Sequence, residues 1–228
     1  MKIVVFTGAG ISAESGIKTF RDHDGLWDNY SIEDVCTYNA WLKNPELVQE
    51  FYNQRRKQLY KVNPNPAHYA LAKLEKKYDV EIITQNVDDL HERAGSSKIL
   101  HLHGELKKAR STVDENLVYD IDGYEIKMGD KCEKKSQLRP HIVWFGEAVP
   151  KMQEAADICS KANILIVTGT SLNVYPAAGL INSVPQNIPI YLVDPGEFKL
   201  DLYPNLNFIK KKAGDGIPEL VEILLKEI

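Results

Sequence analysis

Near the start of the chain, Ile3-Val4-Val5-Phe6-Thr7-Gly8-Ala9-Gly10-Ile11-Ser12-Ala13 decides how the rest is read. Four apolar residues in a row, rich in Val and Ile, predict a strand buried on both faces, as in parallel sheets. The run stops at Gly8-x-Gly10-x-x-Ala13. Small residues at that spacing let the backbone turn sharply and approach a pyrophosphate, whose charge a following helix N-terminus favours. Working outward, similar runs recur at residues 80–84 and 164–168, and again at 190–193 between Pro189 and Asp194-Pro195. Helical patterns lie between them: 67–77, with Ala67, Ala70, Leu71 and Leu74 on one face, then 150–161 and 216–228. Strands alternating with helices predict an α/β fold with a mostly parallel sheet.

Two stretches break the alternation. Residues 30–66 are polar and aromatic, with a helical stretch from Pro45 to about Tyr60, and end in Asn63-Pro64-Asn65-Pro66. Residues 105–139 carry 16 charges in 35 positions, eight of each sign. Within them, 117–126 reads as a hairpin turning at Asp122-Gly123, a pair that tolerates positive φ. Both stretches read as insertions that together build a small second module, with a ligand cleft expected between it and the main sheet.

Composition narrows the class. The 228 residues hold 28 Lys+Arg against 32 Asp+Glu, a net charge of −4, which argues against a dedicated nucleic-acid binder. Ordinary hydrophobic content excludes wholesale disorder. Three scattered cysteines, Cys36, Cys132 and Cys159, support neither a disulfide framework nor a four-cysteine metal site, so a cytoplasmic protein is expected. The apolar run at residues 3–6 is too short for a signal peptide, and no run reaches membrane-spanning length. Membrane association is therefore not expected.

Four further motifs carry chemistry. Thr84-Gln85-Asn86-Val87-Asp88-Asp89 follows the second strand, where ligands collect in open α/β sheets, and its amides and carboxylates suit a ribose and a carboxamide. His101-Leu102-His103-Gly104 supplies a candidate general base in His103, at a predicted module junction, while His91 and His101 read as structural. Val143-Trp144-Phe145-Gly146-Glu147 can wall an apolar channel. Gly169-Thr170-Ser171 is a second small-residue turn with hydroxyls. The acidic residue that a dehydrogenase places about 20 residues past its glycine turn, at the end of a second strand, is missing. An ordinary dehydrogenase is thereby disfavoured.

Taken in order, these motifs resemble the sirtuins, NAD-dependent protein lysine deacylases. The likeness rests on Gly8-Ala9-Gly10-Ile11-Ser12, Gly16-Ile17, Thr19-Phe20-Arg21, Thr84-Gln85-Asn86-Val87-Asp88, His103-Gly104, Trp144-Phe145-Gly146-Glu147 and Gly169-Thr170-Ser171. It implies a Rossmann-like NAD-binding domain of residues 1–28, 66–103 and 142–228, with a small inserted module of 29–65 and 104–141. NAD is then the co-substrate. The first stretch, through Glu14 and on to Trp27, would bind it, with Ala9, Phe20 and Arg21 shaping a cofactor loop. Gln85 would hold ribose, Asn86 would order the reacting ribose and water, and Ile17 with Asp88 would bind the nicotinamide amide. Gly169, Thr170 and Ser171 would meet ribose and phosphate, and Ala213 would lie beside adenine. Asp194 stands where the family more often has Asn.

The implied chemistry starts with attack of the acyl-lysine carbonyl oxygen on the anomeric carbon as nicotinamide leaves. His103 deprotonates a ribose hydroxyl, and the products are nicotinamide, O-acyl-ADP-ribose and free lysine. Val143 with Trp144, Phe145, Gly146 and Glu147 would clamp the substrate backbone by strand addition. The partners implied are acylated lysine side chains of proteins. Protein mono-ADP-ribosyl transfer and a non-catalytic NAD or ADP-ribose sensor are the alternatives.

Tyr52 and Arg55 stand at i and i+3 and project from one helix face. A guanidinium can hold a carboxylate bidentately and a phenol can add a bond. This Tyr-x-x-Arg resembles the class of sirtuins that removes succinyl and malonyl groups; Arg56 is expected to point elsewhere and be solvated. Sirtuins usually carry two Cys-x-x-Cys pairs around a structural zinc in the second insertion. Here that stretch has Cys132 alone. The module is therefore expected to fold without metal, held by the Asp122-Gly123 hairpin, charge pairs and packing.

Overall fold

A computed structural model describes residues 1–17, 30–170, 175–197 and 205–226. The elements run β1 Lys2–Thr7, α1 Ala9–Ala13, α2 Ile32–Val35, α3 Tyr38–Lys43, α4 Pro45–Leu59, α5 Pro66–Leu74 and β2 Asp79–Thr84. They continue with α6 Leu90–Ala94, β3 Ile99–His101, β4 Gly104–Ser111, β5 Val118–Asp120 and β6 Leu138–Ile142. The last are α7 Met152–Cys159, β7 Ile164–Thr168, β8 Ile190–Val193, β9 Leu206–Ile209 and α8 Ala213–Lys226.

The main sheet has the order β3-β2-β1-β7-β8-β9, and its pairings are parallel. Continuous apolar runs suit it because both faces are covered. Ile3, Val5, Val80, Ile82, Ile164 and Ile166 pack against Ala67, Leu71 and Leu74 of α5 and Ile217, Leu220, Val221 and Leu224 of α8. Their neighbours Val4, Phe6, Ile83, Leu165 and Val167 point the other way, onto Ala155, Ile158 and Cys159 of α7 and onto Leu180 and Ile181. The four strands predicted from sequence are all present; β3 and β9 are additional, three and four residues long, too short to show a period.

Local signals set the helix starts. The Asn44 side chain accepts from Leu47 N at 3.1 Å ahead of Pro45, and Asn65 with His68 forms a capping box ahead of Pro66. Asn65 Nδ2 also donates to Ile11 O at 2.7 Å and Ser15 Oγ at 3.0 Å, tying the first glycine turn to α5.

The two insertions meet in a third core. Val35, Trp41, Val48, Phe51, Tyr52 and Leu59 from the first pack with Leu106, Ile142 and Trp144 around the second, whose strands form an antiparallel sheet β5-β4-β6. Two expectations need correction here. The 117–126 hairpin is not formed: β5 pairs with β4, and 124–126 is held by α4 instead. Asn53 both donates to Ile126 O at 3.1 Å and accepts from Ile126 N at 3.0 Å, while Arg56 Nε donates to Tyr124 O at 2.7 Å. Arg56, expected in solvent, is therefore fully buried, with Asn53 Oδ1 and Leu106 O also accepting from it. A guanidinium can be buried because its fork of donors finds acceptors on every side.

Cys132 is buried and donates to Ser111 Oγ at 3.3 Å. Among the described residues no group of three His, Cys, Asp or Glu side chains is placed to hold a metal ion.

Candidate active site

The order of the main sheet reverses at β1, which has β2 on one side and β7 on the other, so a crevice opens beyond the C-terminal ends of these strands. Two glycine turns meet there. Gly8 N donates to Thr168 O at 3.1 Å and Gly10 N to Gly169 O at 2.8 Å. The approach is so close that a Cβ on Gly8 would lie 2.7 Å from Gly169 O and one on Gly10 2.8 Å from Gly169 Cα. Gly169 itself has φ +65°, and its Cβ would fall 2.2 Å from Ile11 N. The small residues read as room for a pyrophosphate thus serve first to let two backbones touch. The helix after them, α1, is five residues long.

A cleft of about 230 Å³ runs from this crevice to the inserted module. Of the residues singled out from sequence, it is lined by Ala9, Ser12, Ile17, Gln85, Asn86, Asp88 and His103 on one side. On the other it meets Tyr52, Arg55, Val143, Trp144, Phe145, Gly146 and Glu147. Gly8, Gly10, Ile11, Gly169, Thr170 and Ala213 are not among the residues that line it. Glu14 is turned to α8, where its carboxylate accepts from Gly214 N at 2.7 Å. Thr19, Phe20, Arg21, Trp27 and Ser171 lie outside the described residues. Cys36, Leu106, Ile142, Val149, Tyr175 and Pro176 also line the cleft and carried no sequence signal, being single residues of ordinary type.

The polar groups on the first side are held from behind. Asn86 Nδ2 donates to Gly8 O and Ser12 Oγ, both at 3.1 Å, and Asn86 N donates to Thr84 Oγ1 at 3.0 Å. Asp88 is buried; its carboxyl accepts from Leu90 N at 3.2 Å, and burial raises its pKa against the pull of Ser12, Leu90 and His101. His103 Nδ1 lies 3.0 Å from Gln85 O. A carbonyl can only accept, so Nδ1 carries the proton and Nε2 keeps its lone pair. Burial lowers the His103 pKa, which keeps that nitrogen unprotonated and able to accept a proton near neutrality. Among the described residues, Gln85 Nε2 is buried and meets no acceptor, an orphan donor on the wall of the cleft.

On the second side the side chains hold one another. Trp144 Nε1 donates to Tyr52 Oη at 3.1 Å, and Cys36 Sγ lies 3.5 Å from the same oxygen. The Arg139 guanidinium stacks on the Trp144 ring, 3.4 Å from its centroid, and pairs with Glu147, which also accepts from Trp144 N at 2.8 Å. Burial alone would raise the Glu147 pKa, but Arg139 and the Trp144 amide reverse this and hold it low. Arg55 sits 5.6 Å from the centroid of the Tyr52 ring. The amides of Val143 and Phe145 donate to His103 O and Cys36 O, both at 2.9 Å.

These features match known proteins across nearly the whole chain. The family model described as "Sir2 family" matches residues 8–176. A Helicobacter pylori protein named NAD-dependent protein deacylase is 55% identical over 225 residues, covering 97% of this chain and 98% of its own. One of the same name from Bacteroides thetaiotaomicron is 52% identical, covering 98% and 97%. A crystal structure titled as a Sir2 homolog–NAD complex superposes with a TM-score of 0.89 at 42% identity, over 99% of this chain and 90% of that one. The chain belongs to the Sir2 family.

Proposed function

We propose that this chain is an NAD-dependent protein-lysine deacylase whose cleft accepts succinyl and malonyl groups as well as acetyl. The observation that carries this reading is the sharing of one cleft by two sets of groups. His103, with Nε2 left as a base, and the orphan amide of Gln85 stand at one end, and Tyr52 with Arg55 at the other. NAD, when bound, supplies the nicotinamide leaving group and the ribose that receives the acyl oxygen. Gln85 Nε2 offers a donor to a ribose hydroxyl, and His103 Nε2 is the atom that takes up a proton from it. Asp88 and Ile17 border the place for a carboxamide. Glycines at 8, 10 and 169 bring the two backbone turns together at the crevice where a phosphate chain would lie. Residues 1–28, 66–103 and 142–228 are assigned to the nucleotide-binding domain, and 29–65 with 104–141 to the inserted module. The third core, shared by the two insertions, supports that division.

The acyl preference follows from hydrogen-bond direction. Because Trp144 Nε1 donates to Tyr52 Oη, the phenol retains its own proton for donation, and Cys36 sulfur is a weak acceptor that a carboxylate displaces. Burial raises the Tyr52 pKa well above its usual value, so the hydroxyl keeps that proton at working pH. An acyl carboxylate would take it together with the Arg55 guanidinium. Among the described residues no helix is long and apolar enough to cross a membrane.

Turnover of matched acetyl-lysine and succinyl-lysine peptides with NAD tests the reading. Wild type should process both. Arg55→Met should cut succinyl turnover by roughly tenfold to a hundredfold, the worth of a charge-assisted bond, while acetyl turnover persists. An unchanged ratio would remove the acyl assignment.

A further inference from the structure

His101 ends β3 and His103 stands in the bend before β4, and each side chain reaches back to the loop after β2. His103 takes the Gln85 carbonyl, and His101 Nδ1 lies 2.9 Å from the next one, Asn86 O. The other nitrogen of His101, Nε2, lies 2.7 Å from Glu92 Oε1. The parallel register explains the reach: His101 stands beside Thr84, and Leu102 N donates to Thr84 O at 2.9 Å.

Both partners of His101 are oxygens without a hydrogen to give. A neutral imidazole has one N–H and could satisfy only one of them; satisfying both takes two N–H groups. We infer that His101 works as an imidazolium at neutral pH, a positioning residue that ties the Asn86 carbonyl to Glu92 and presents a buried positive charge to Asp88. The ring is 5% exposed, so this charge is shielded little by water. The charged and titratable groups facing it are Glu92 and His91 on α6, Glu105 on β4, and Asp88 in the loop. Burial alone would drive the proton off, yet the bonds to Glu92 and Asn86 and the field of Glu105 outweigh it and leave the His101 pKa raised. Through Asn86 and Asp88, the protonated ring sets one loop group assigned to the ribose and one assigned to the carboxamide.

The consequence for pH follows by sign. The contribution is complete below the His101 pKa and is lost as pH rises through it. His103 behaves oppositely, since its base form is lost as pH falls through its lowered pKa. The pH profile of kcat/KM for NAD should therefore be bell-shaped, with His103 on the acid limb and His101 on the alkaline limb.

The test is nitrogen NMR of histidine-labelled full-length protein near neutral pH, with Glu92→Gln as the isosteric variant. Gln can donate to His101 Nε2, so the variant keeps the bond chain while removing the need for the second proton. We expect both ring nitrogens of His101 protonated in wild type and only Nδ1 in the variant. The alkaline limb should move down by about one pH unit, about a tenfold loss on that side, with the acid limb in place. A singly protonated His101 in wild type, or identical profiles for wild type and Glu92→Gln, would overturn the inference. Its kinetic arm rests on the deacylase reading, but the NMR arm does not. Full activity in His103→Ala would end that reading and leave the protonation state of His101 to stand or fall alone.

Discussion

At one end of the cleft, two backbone turns touch, and the contacts are made by Gly8, Gly10 and Gly169 because any side chain there would collide with the opposing main chain. At the other end side chains do most of the holding. Tyr52 from α4 and Arg139, Trp144 and Glu147 from one short stretch far along the chain hold one another by a stacked guanidinium, an ion pair and an indole hydrogen bond. The first end is rigid for steric reasons and uses contiguous short motifs. The second is specific for electrostatic reasons, and its parts have meaning only as a set. Nucleotide handling should therefore fail abruptly when a small residue changes, and acyl choice should grade with the loss of single bonds.

The largest effect expected belongs to His103, the proposed base between the two ends. His103→Ala should lower turnover of every acyl substrate by about 10²–10⁴-fold, measured with saturating NAD. If one acyl group survived the change, the two ends would not share a single chemical step. Next comes the backbone end. Gly169→Ala places a Cβ 2.2 Å from Ile11 N at φ +65°, and should cost about 1–3 kcal/mol in denaturant unfolding with a raised KM for NAD. The acyl preference itself should be left alone. An altered succinyl-to-acetyl ratio in this variant would mean that the ends are coupled.

The smallest effect should come from the acyl end. Trp144→Phe keeps a ring under Arg139 but removes the N–H that fixes the direction of the Tyr52 hydroxyl. One neutral hydrogen bond is worth about 1 kcal/mol, so the succinyl-to-acetyl ratio should fall about fivefold, less than in Arg55→Met. A larger loss of acetyl than of succinyl turnover would show that the indole serves the peptide rather than the acyl carboxylate.

The fold was readable in good part because its signals are local. Four buried strands announced themselves as apolar runs, and the helix from Pro45 stood where its pattern begins. Strand β3 was missed because three residues cannot show a period, although it carries His101 to its place beside Thr84. The hairpin at 117–126 was misread because Asp122-Gly123 permits a tight turn without requiring strands to pair on either side of it. Asn53 and Arg56 took those backbone groups instead, from 68 or more residues away.

Sequence sufficed for whatever depends on neighbours along the chain: the parallel α/β architecture, the glycine turns, the loop at 84–88 and the candidate base. Family membership followed from their order. Tertiary structure alone decided which way shared protons point. His101 and His103 are the same residue type two positions apart, yet among the described residues one ring meets two acceptors and the other one. Arg55 and Arg56 are adjacent and alike, yet one lines the cleft and the other is sealed in the module core. A side chain's charge state and its task depend on the donors and acceptors it meets. Those are brought together by folding across large separations that no local pattern records.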